Sequence, residues 1–275
     1  MGIIGIDPAG SDNSRSYCFD GETFYICTAQ NLSQKLLEWK QEEDVLVCWD
    51  SPLTATRDRV HIHTDDFSQR CIEKIFKEQY RFPGVIARVH EGFFLVPPGI
   101  SVQNYTGVSH WAISQFLLGY PEVGGCMGQA ENHPYELVAN NIMPRPIEGY
   151  RICEVHPAVA MWWWISGHPV ASDGIPGYRY KSGSNRNIHP TEMWQRLLIA
   201  LEEPFQAAGL VLPDNLEVTS DGKLDAVVAY ILGYLYQHSD AVSIVGSLEH
   251  GAMLLPADMQ VNWNQFVENG HVNIA

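Results

Sequence analysis

Acids that close apolar runs are the residues of this chain best placed to do chemistry. The opening run Met1-Gly-Ile-Ile-Gly-Ile-Asp7 stops at a carboxylate, and Val45-Leu-Val-Cys-Trp-Asp50 repeats the design. Asp221-Gly-Lys-Leu-Asp225-Ala then opens a long apolar segment. A buried strand that ends in Asp puts a charge at the edge of a sheet. Carboxylates converging there repel one another unless a cation lies among them. Oxygen donors suit hard cations, so Asp7, Asp50 and Asp225 predict a site for Mg2+ or Mn2+. Two such ions roughly 3.5–4 Å apart can stabilise the attacking and leaving oxygens of a phosphodiester displacement. That chemistry needs no histidine pair, cysteine or serine nucleophile. Asp225 alone has a plainer reading, because an acid near a helix N-terminus gains about 0.3–1 kcal/mol from the dipole there.

Several elements must hold these acids. Residues 2–7, 15–19, 23–28 and 45–50 read as strands, the second and third joined by the hairpin signal Asp20-Gly21. Asn31, with Gln34 three residues on, predicts the cap of a helix bearing Leu32, Leu36, Leu37 and Trp39. Tyr150-Arg-Ile-Cys-Glu154-Val-His-Pro157 is a fifth strand candidate, followed by a helix over 158–165. Residues 167–189 read as loop, Thr191 as the cap of a helix running to Leu201, and Asp221 or Gly222 as the start of the helix 224–236. Leu224, Val227, Val228, Ile231, Leu232 and Leu235 give that helix an apolar surface wide enough to cover a sheet, with Asp221 and Asp225 on one face. Short apolar runs follow at 241–246 and 248–256. Helical spacing at 65–79 and 108–118 among turn-rich stretches predicts a mostly helical insertion at about 55–150, between the fourth and fifth strands. No linker composition divides the chain, so 1–275 reads as a single α/β domain.

Composition narrows the class. Hydrophobic residues make up 45% of the 275, enough for a sizeable core. No run reaches the roughly 18 apolar residues that span a bilayer, and the start lacks the pattern of a signal peptide. Cys18, Cys27, Cys48, Cys71, Cys126 and Cys153 form no CxxC pair and no zinc spacing, and several lie in apolar runs. The expectation is a reduced, cytoplasmic protein with no membrane partner. A net charge of −15 argues against a general nucleic-acid coat protein. Ten of the 17 basic residues nevertheless fall in 57–88 and 179–186, a local basic rim on an acidic body. Five acids share the first of these segments, so a mixed-charge solvated helix accounts for it equally well.

The strand-strand-strand-helix-strand start, the Gly-Ile-Asp7 opening and the Leu-Asp225-Ala-Val-Val-Ala helix resemble the ribonuclease H-like superfamily. Trp49-Asp50-Ser-Pro-Leu53, Glu154-Val-His-Pro157 and Lys223-Leu-Asp225-Ala226 are similar to motifs of the DUF429 family of predicted nucleases. That resemblance covers residues 2 to about 236. It implies a mixed five-stranded sheet in the order 3-2-1-4-5 flanked by helices, and an acidic triad matched by Asp7, Asp50 and Asp225. Glu154 matches the family's strand-end glutamate, as a metal ligand or a hydrogen-bond acceptor behind the ligands. The family often carries an acid three residues before the position of Asp225; this chain has Gly222 there, with Asp221 one position earlier.

The expected activity is therefore metal-dependent hydrolysis of phosphodiesters in DNA or RNA, with Glu154 or Asp221 orienting the water. Tyr178-Arg179-Tyr180-Lys181 has the mixed aromatic and basic composition of a strand-binding lip, which makes Arg179 and Lys181 candidate substrate contacts. Met161-Trp-Trp-Trp164 suits core packing better than base stacking, since consecutive helical residues cannot face one ligand. His61, His63, Asp65 and Asp66 read as a polar loop, and His156 as an ordinary surface or hydrogen-bonded histidine. Two other classes stay open. One is a non-catalytic binding or scaffold protein that keeps the fold. The other is a sugar kinase or actin-type phosphotransferase, against which stands the single glycine of Asp7-Pro-Ala-Gly-Ser-Asp-Asn-Ser14.

Overall fold

The structure, a computed structural model, describes residues 2–8, 15–39, 44–50, 53, 72, 135–141, 145–166, 180–181, 188–247 and 251–259. Strands β1 (Gly2–Asp7), β2 (Ser16–Phe19) and β3 (Phe24–Cys27) lead into helix α1 (Ala29–Trp39) and strand β4 (Val45–Trp49). The short β5 (Glu136–Leu137) and β6 (Tyr150–Glu154) follow, then helices α2 (Pro157–Ser166), α3 (Pro190–Ala200), α4 (Glu202–Ala208) and α5 (Asp221–His238). A hairpin of β7 (Val242–Ser247) and β8 (Gly251–Pro256) comes last.

The main sheet has six strands in the order β3-β2-β1-β4-β6-β5. The pairings β1–β4, β4–β6 and β5–β6 are parallel, whereas β2 is antiparallel to both neighbours. The expected order of five strands is present. The sixth, β5, is an addition at the edge: two residues long, it has no periodicity to read. The hairpin β7–β8 forms a separate antiparallel sheet, tied to the end of β6 by a bridge from Val155 to Leu254.

Alternation along the strands divides the core. Ile3 of β1, Leu46 and Cys48 of β4 and Cys153 of β6 share one buried cluster with Leu224, Val227, Val228 and Ile231 of α5. Ile4, Ile6, Val47, Trp49 and Ile152 share the other with Leu32, Leu36 and Trp39 of α1. Strands covered on both faces read as continuous apolar runs, which is why β1 and β4 are legible. Gly5 falls on the α5 face, where a Cβ would collide with the backbone of Ala226 and Tyr230. Its missing side chain lets α5 lie directly on β1.

Two helix caps differ from expectation, those of α1 and α3, while α5 starts at Asp221 as expected. Thr28, rather than Asn31, supplies the cap oxygen of α1, accepting from the Asn31 N–H at 3.3 Å. At α3 the cap is His189, whose Nδ1 accepts from the Thr191 N–H at 3.3 Å, with Pro190 as first helical residue. Ser220 caps α5, its Oγ accepting from the Lys223 N–H at 3.2 Å. The Asp20-Gly21 turn forms as expected, with Gly21 at φ +101° and Asp20 Oδ1 accepting from the N–H groups of Glu22 (2.9 Å) and Thr23 (2.7 Å). Met161, Trp162 and Trp163 are buried, and the Trp163 indole donates to Asp258 at 2.8 Å. Cys18, Cys27, Cys48 and Cys153 are free and buried. No helix among the described residues is long and apolar enough to cross a membrane. The helices expected at 65–79 and 108–118, the polar loop 61–66, Cys71, Cys126 and residues 9–14 lie outside the described residues, Ile72 apart.

Candidate metal centre

Parallel pairing carries the two strand-end acids to one place. Ile6 of β1 is level with Trp49 of β4, and the Asp50 N–H donates to Ile6 O at 2.9 Å, so Asp7 and Asp50 leave the sheet together. Counting outward from Ile3 and Gly5, and from Leu46 and Cys48, both acids fall on the face covered by α5. That helix presents Asp225 from its second turn. One carboxylate oxygen from each of Asp7, Asp50 and Asp225 lies within 4.8 Å of the others. Asp7 and Asp50 keep some exposure, whereas Asp225 has none.

Both oxygens of Asp225 are engaged. The Tyr180 hydroxyl donates to Oδ1 at 2.6 Å, and the Lys181 ammonium donates to Oδ2. Lys181 is therefore turned onto the acids, its side chain 48% exposed although its charge lies among carboxylates. Arg179, its partner in the expected strand-binding lip, lies outside the described residues.

The electrostatics follow from crowding. Burial pushes Asp7 up to about 8, with Asp225 and Asp221 adding to the rise and Lys181 opposing it. Asp50 is pushed well above the carboxylate range by burial and then by Asp225, again against Lys181. Asp225 is raised by burial in spite of Lys181 and Tyr180. Burial pulls Lys181 down, but Asp225, Asp7 and Asp50 outweigh it and hold the ammonium charged beyond its usual range. Among the described residues, one ammonium thus faces three acids and leaves them short of positive charge. A divalent cation would relieve that shortage, and the oxygen-only donor set fits Mg2+ or Mn2+.

The other candidates sit nearby. Asp221, one turn before Asp225, is close enough for its charge to raise Asp7 and Asp225, but it is outside the group of converging oxygens. Glu154 is level with Trp49 and, by alternation, on the α1 face of the sheet. It is 2% exposed and its Oε2 accepts from the Leu53 N–H at 2.8 Å, which ties the chain leaving Asp50 to the end of β6. Gly222 has a steric cause: a Cβ there would strike the ring of Tyr17, and Tyr17 is the strand neighbour of Asp7. The position where the family often carries an acid is filled by an aromatic ring. Tyr17 carries no sequence signal, and Tyr180 is legible only as an aromatic of the expected strand-binding lip, not as a partner of Asp225.

Fold and site together define a mixed α/β protein with a carboxylate cluster at the ends of its parallel strands. Residues 133–250 match the family described as "Protein of unknown function (DUF429)", so the resemblance read from the motifs is borne out over that span. No curated protein and no solved structure matches the chain.

Proposed function

We propose that this protein is a metal-dependent nuclease of ribonuclease H-like fold. The observation that carries the reading is the convergence of Asp7, Asp50 and Asp225 within 4.8 Å at one sheet edge. The strand order, with an antiparallel β2 beside parallel β1, β4 and β6, supports the ribonuclease H-like assignment. Asp7, Asp50 and Asp225 would hold the cation. When bound, Mg2+ or Mn2+ supplies Lewis-acid charge to a phosphoryl oxygen and makes water a stronger nucleophile. The chain's own part is to fix the three carboxylates on rigid elements, two on adjacent strands and one on a buried helix. Tyr180 orients Asp225 through its Oδ1, and Asp221, one turn away, would orient the water. Glu154 holds the Leu53 backbone behind Asp50. DNA or RNA is the proposed partner.

One observation favours a second reading. Lys181 already gives the triad a positive charge, as in a non-catalytic binding protein whose cluster needs no metal. Titration of wild type and Asp50→Asn with Mn2+, followed by cleavage assays on DNA and RNA, separates the two. Mn2+-dependent cleavage and a Mn2+-dependent rise in melting temperature, both lost in Asp50→Asn, support the nuclease. Absence of both from the wild type refutes it.

A further inference from the structure

Lys181 is attached to the core differently from the acids it faces. Asp7 and Asp50 close strands, and Asp225 is fully buried in α5, so none can withdraw without breaking the frame. Lys181 lies outside helices and strands, with 48% of its side chain exposed, and is held by its ammonium on Asp225. Among the described charges at the centre, it is the one on a long, half-exposed side chain outside helices and strands, which can leave by rotation. Its contact is also misplaced for a residue serving only a substrate. It takes Asp225 Oδ2, while Tyr180 already holds Oδ1, so the oxygen a metal would need is covered by an ammonium.

We propose that Lys181 is a tethered stand-in cation, bound to the triad when metal is absent and expelled when a divalent ion enters. This rests on the metal-centre reading above and adds its regulation: occupancy is an exchange of one charge for two, and an intrinsic competitor sets the affinity. The same exchange frees a primary ammonium at the rim when the centre is loaded, where it can meet a phosphate. Tyr180 keeps its grip on Asp225 throughout, because a metal needs only the second oxygen.

The test uses the whole chain and Mn2+ alone, with no nucleic acid. Calorimetric titration compares wild type with Lys181→Met, Lys181→Gln and Lys181→Arg. Met and Gln remove the competing charge and should bind Mn2+ about tenfold tighter or better, and Arg should stay within about threefold of wild type. Gln keeps an amide donor for Asp225, so it guards against a Met variant that fails to fold. In wild type, acylation of Lys181 read by mass spectrometry should accelerate at saturating Mn2+. Unchanged or weaker Mn2+ binding in both neutral variants, or an acylation rate indifferent to Mn2+, overturns the exchange and leaves the metal centre standing. No Mn2+ binding in any form overturns the exchange and the metal centre together. Tighter binding in the neutral variants with no cleavage of DNA or RNA supports the exchange and removes the nuclease.

Discussion

Asp7→Asn should make the metal-free protein more stable at pH 8, with the gain fading toward pH 4. In the folded chain burial pushes Asp7 up to about 8 from its ordinary value of 3.8. Between those limits the folded state binds more protons than the unfolded one, so the contribution of Asp7 to stability falls as pH rises. It is fully present below about 3.8 and lost as pH climbs through about 8. At about 1.4 kcal/mol per pH unit, the span from 3.8 to about 8 has a ceiling of about 6 kcal/mol. Asp7 keeps some exposure, and an effective dielectric near 20 reduces the expected gain in Asp7→Asn to about 1–3 kcal/mol. The amide removes the charge and keeps the shape. Urea denaturation in EDTA at pH 5, 6, 7 and 8 gives the difference between variant and wild type. That difference should grow with pH, and saturating Mn2+ should shrink it by stabilising only the wild type. A difference that is flat from pH 5 to 8, or that favours the wild type at pH 8 without metal, refutes the crowded-carboxylate account.

Four further substitutions at three positions test the frame. Gly5→Ala forces a methyl into the backbone of Ala226 and Tyr230 and should cost about 3 kcal/mol or more by urea denaturation; a cost under about 1 kcal/mol would mean that α5 does not lie on β1. Glu154→Ala leaves the Leu53 N–H without this acceptor and should cost about 1–3 kcal/mol, whereas Glu154→Gln keeps an acceptor oxygen and should cost less than about 1 kcal/mol. Both should hold Mn2+ affinity within about threefold in calorimetry, and a tenfold loss in Glu154→Gln would put Glu154 among the ligands. Gly222→Asp meets the Tyr17 ring, so we expect a loss of about 1–3 kcal/mol in thermal unfolding and no tighter Mn2+ binding; a tighter site would show that Tyr17 yields to a fourth carboxylate.

Sequence carried the strands that are buried on both faces, and failed where two local signals compete. Ile3, Ile4 and Ile6, and Val45, Leu46 and Val47, form unbroken apolar runs that only a covered strand explains. Asn31 with Gln34 satisfies the capping pattern as well as Thr28 does, and only the turn of chain after β3 decides between them. Helix α4, seven residues long, is too short for a periodicity to show, and its Pro204 sits in the first turn, where an absent N–H costs nothing. The strand order came from motif resemblance and not from periodicity, which cannot say which strands are neighbours. For the site, Asp7, Asp50 and Asp225 were legible because each follows or opens an apolar element. Lys181 was legible as a basic group and illegible as a partner of Asp225, since a Gly- and Ser-rich loop says nothing about which edge it crosses. Glu154 marks the limit of motif reading. Its register with Trp49 turns it to the α1 face, and register cannot be known before the strands are paired.

The location of the centre follows from direction more than from any single residue. Parallel β1 and β4 must end at the same edge, and a helix packed antiparallel to β1 places its N-terminus there too. Helix α5 does this, with Ser220 at its cap and Asp225 just inside, so the edge collects two strand-end carboxylates beside the positive end of a helix. The helix end offsets only a fraction of one charge, and Lys181 offsets one more. Among the described residues three carboxylates still exceed that supply, which adds to the burial that pushes Asp7 up to about 8. A shortage of positive charge held on rigid elements, with the Lys181 ammonium as partial cover, is what the proposed cation exchange requires and what a permanent buried ion pair would not leave.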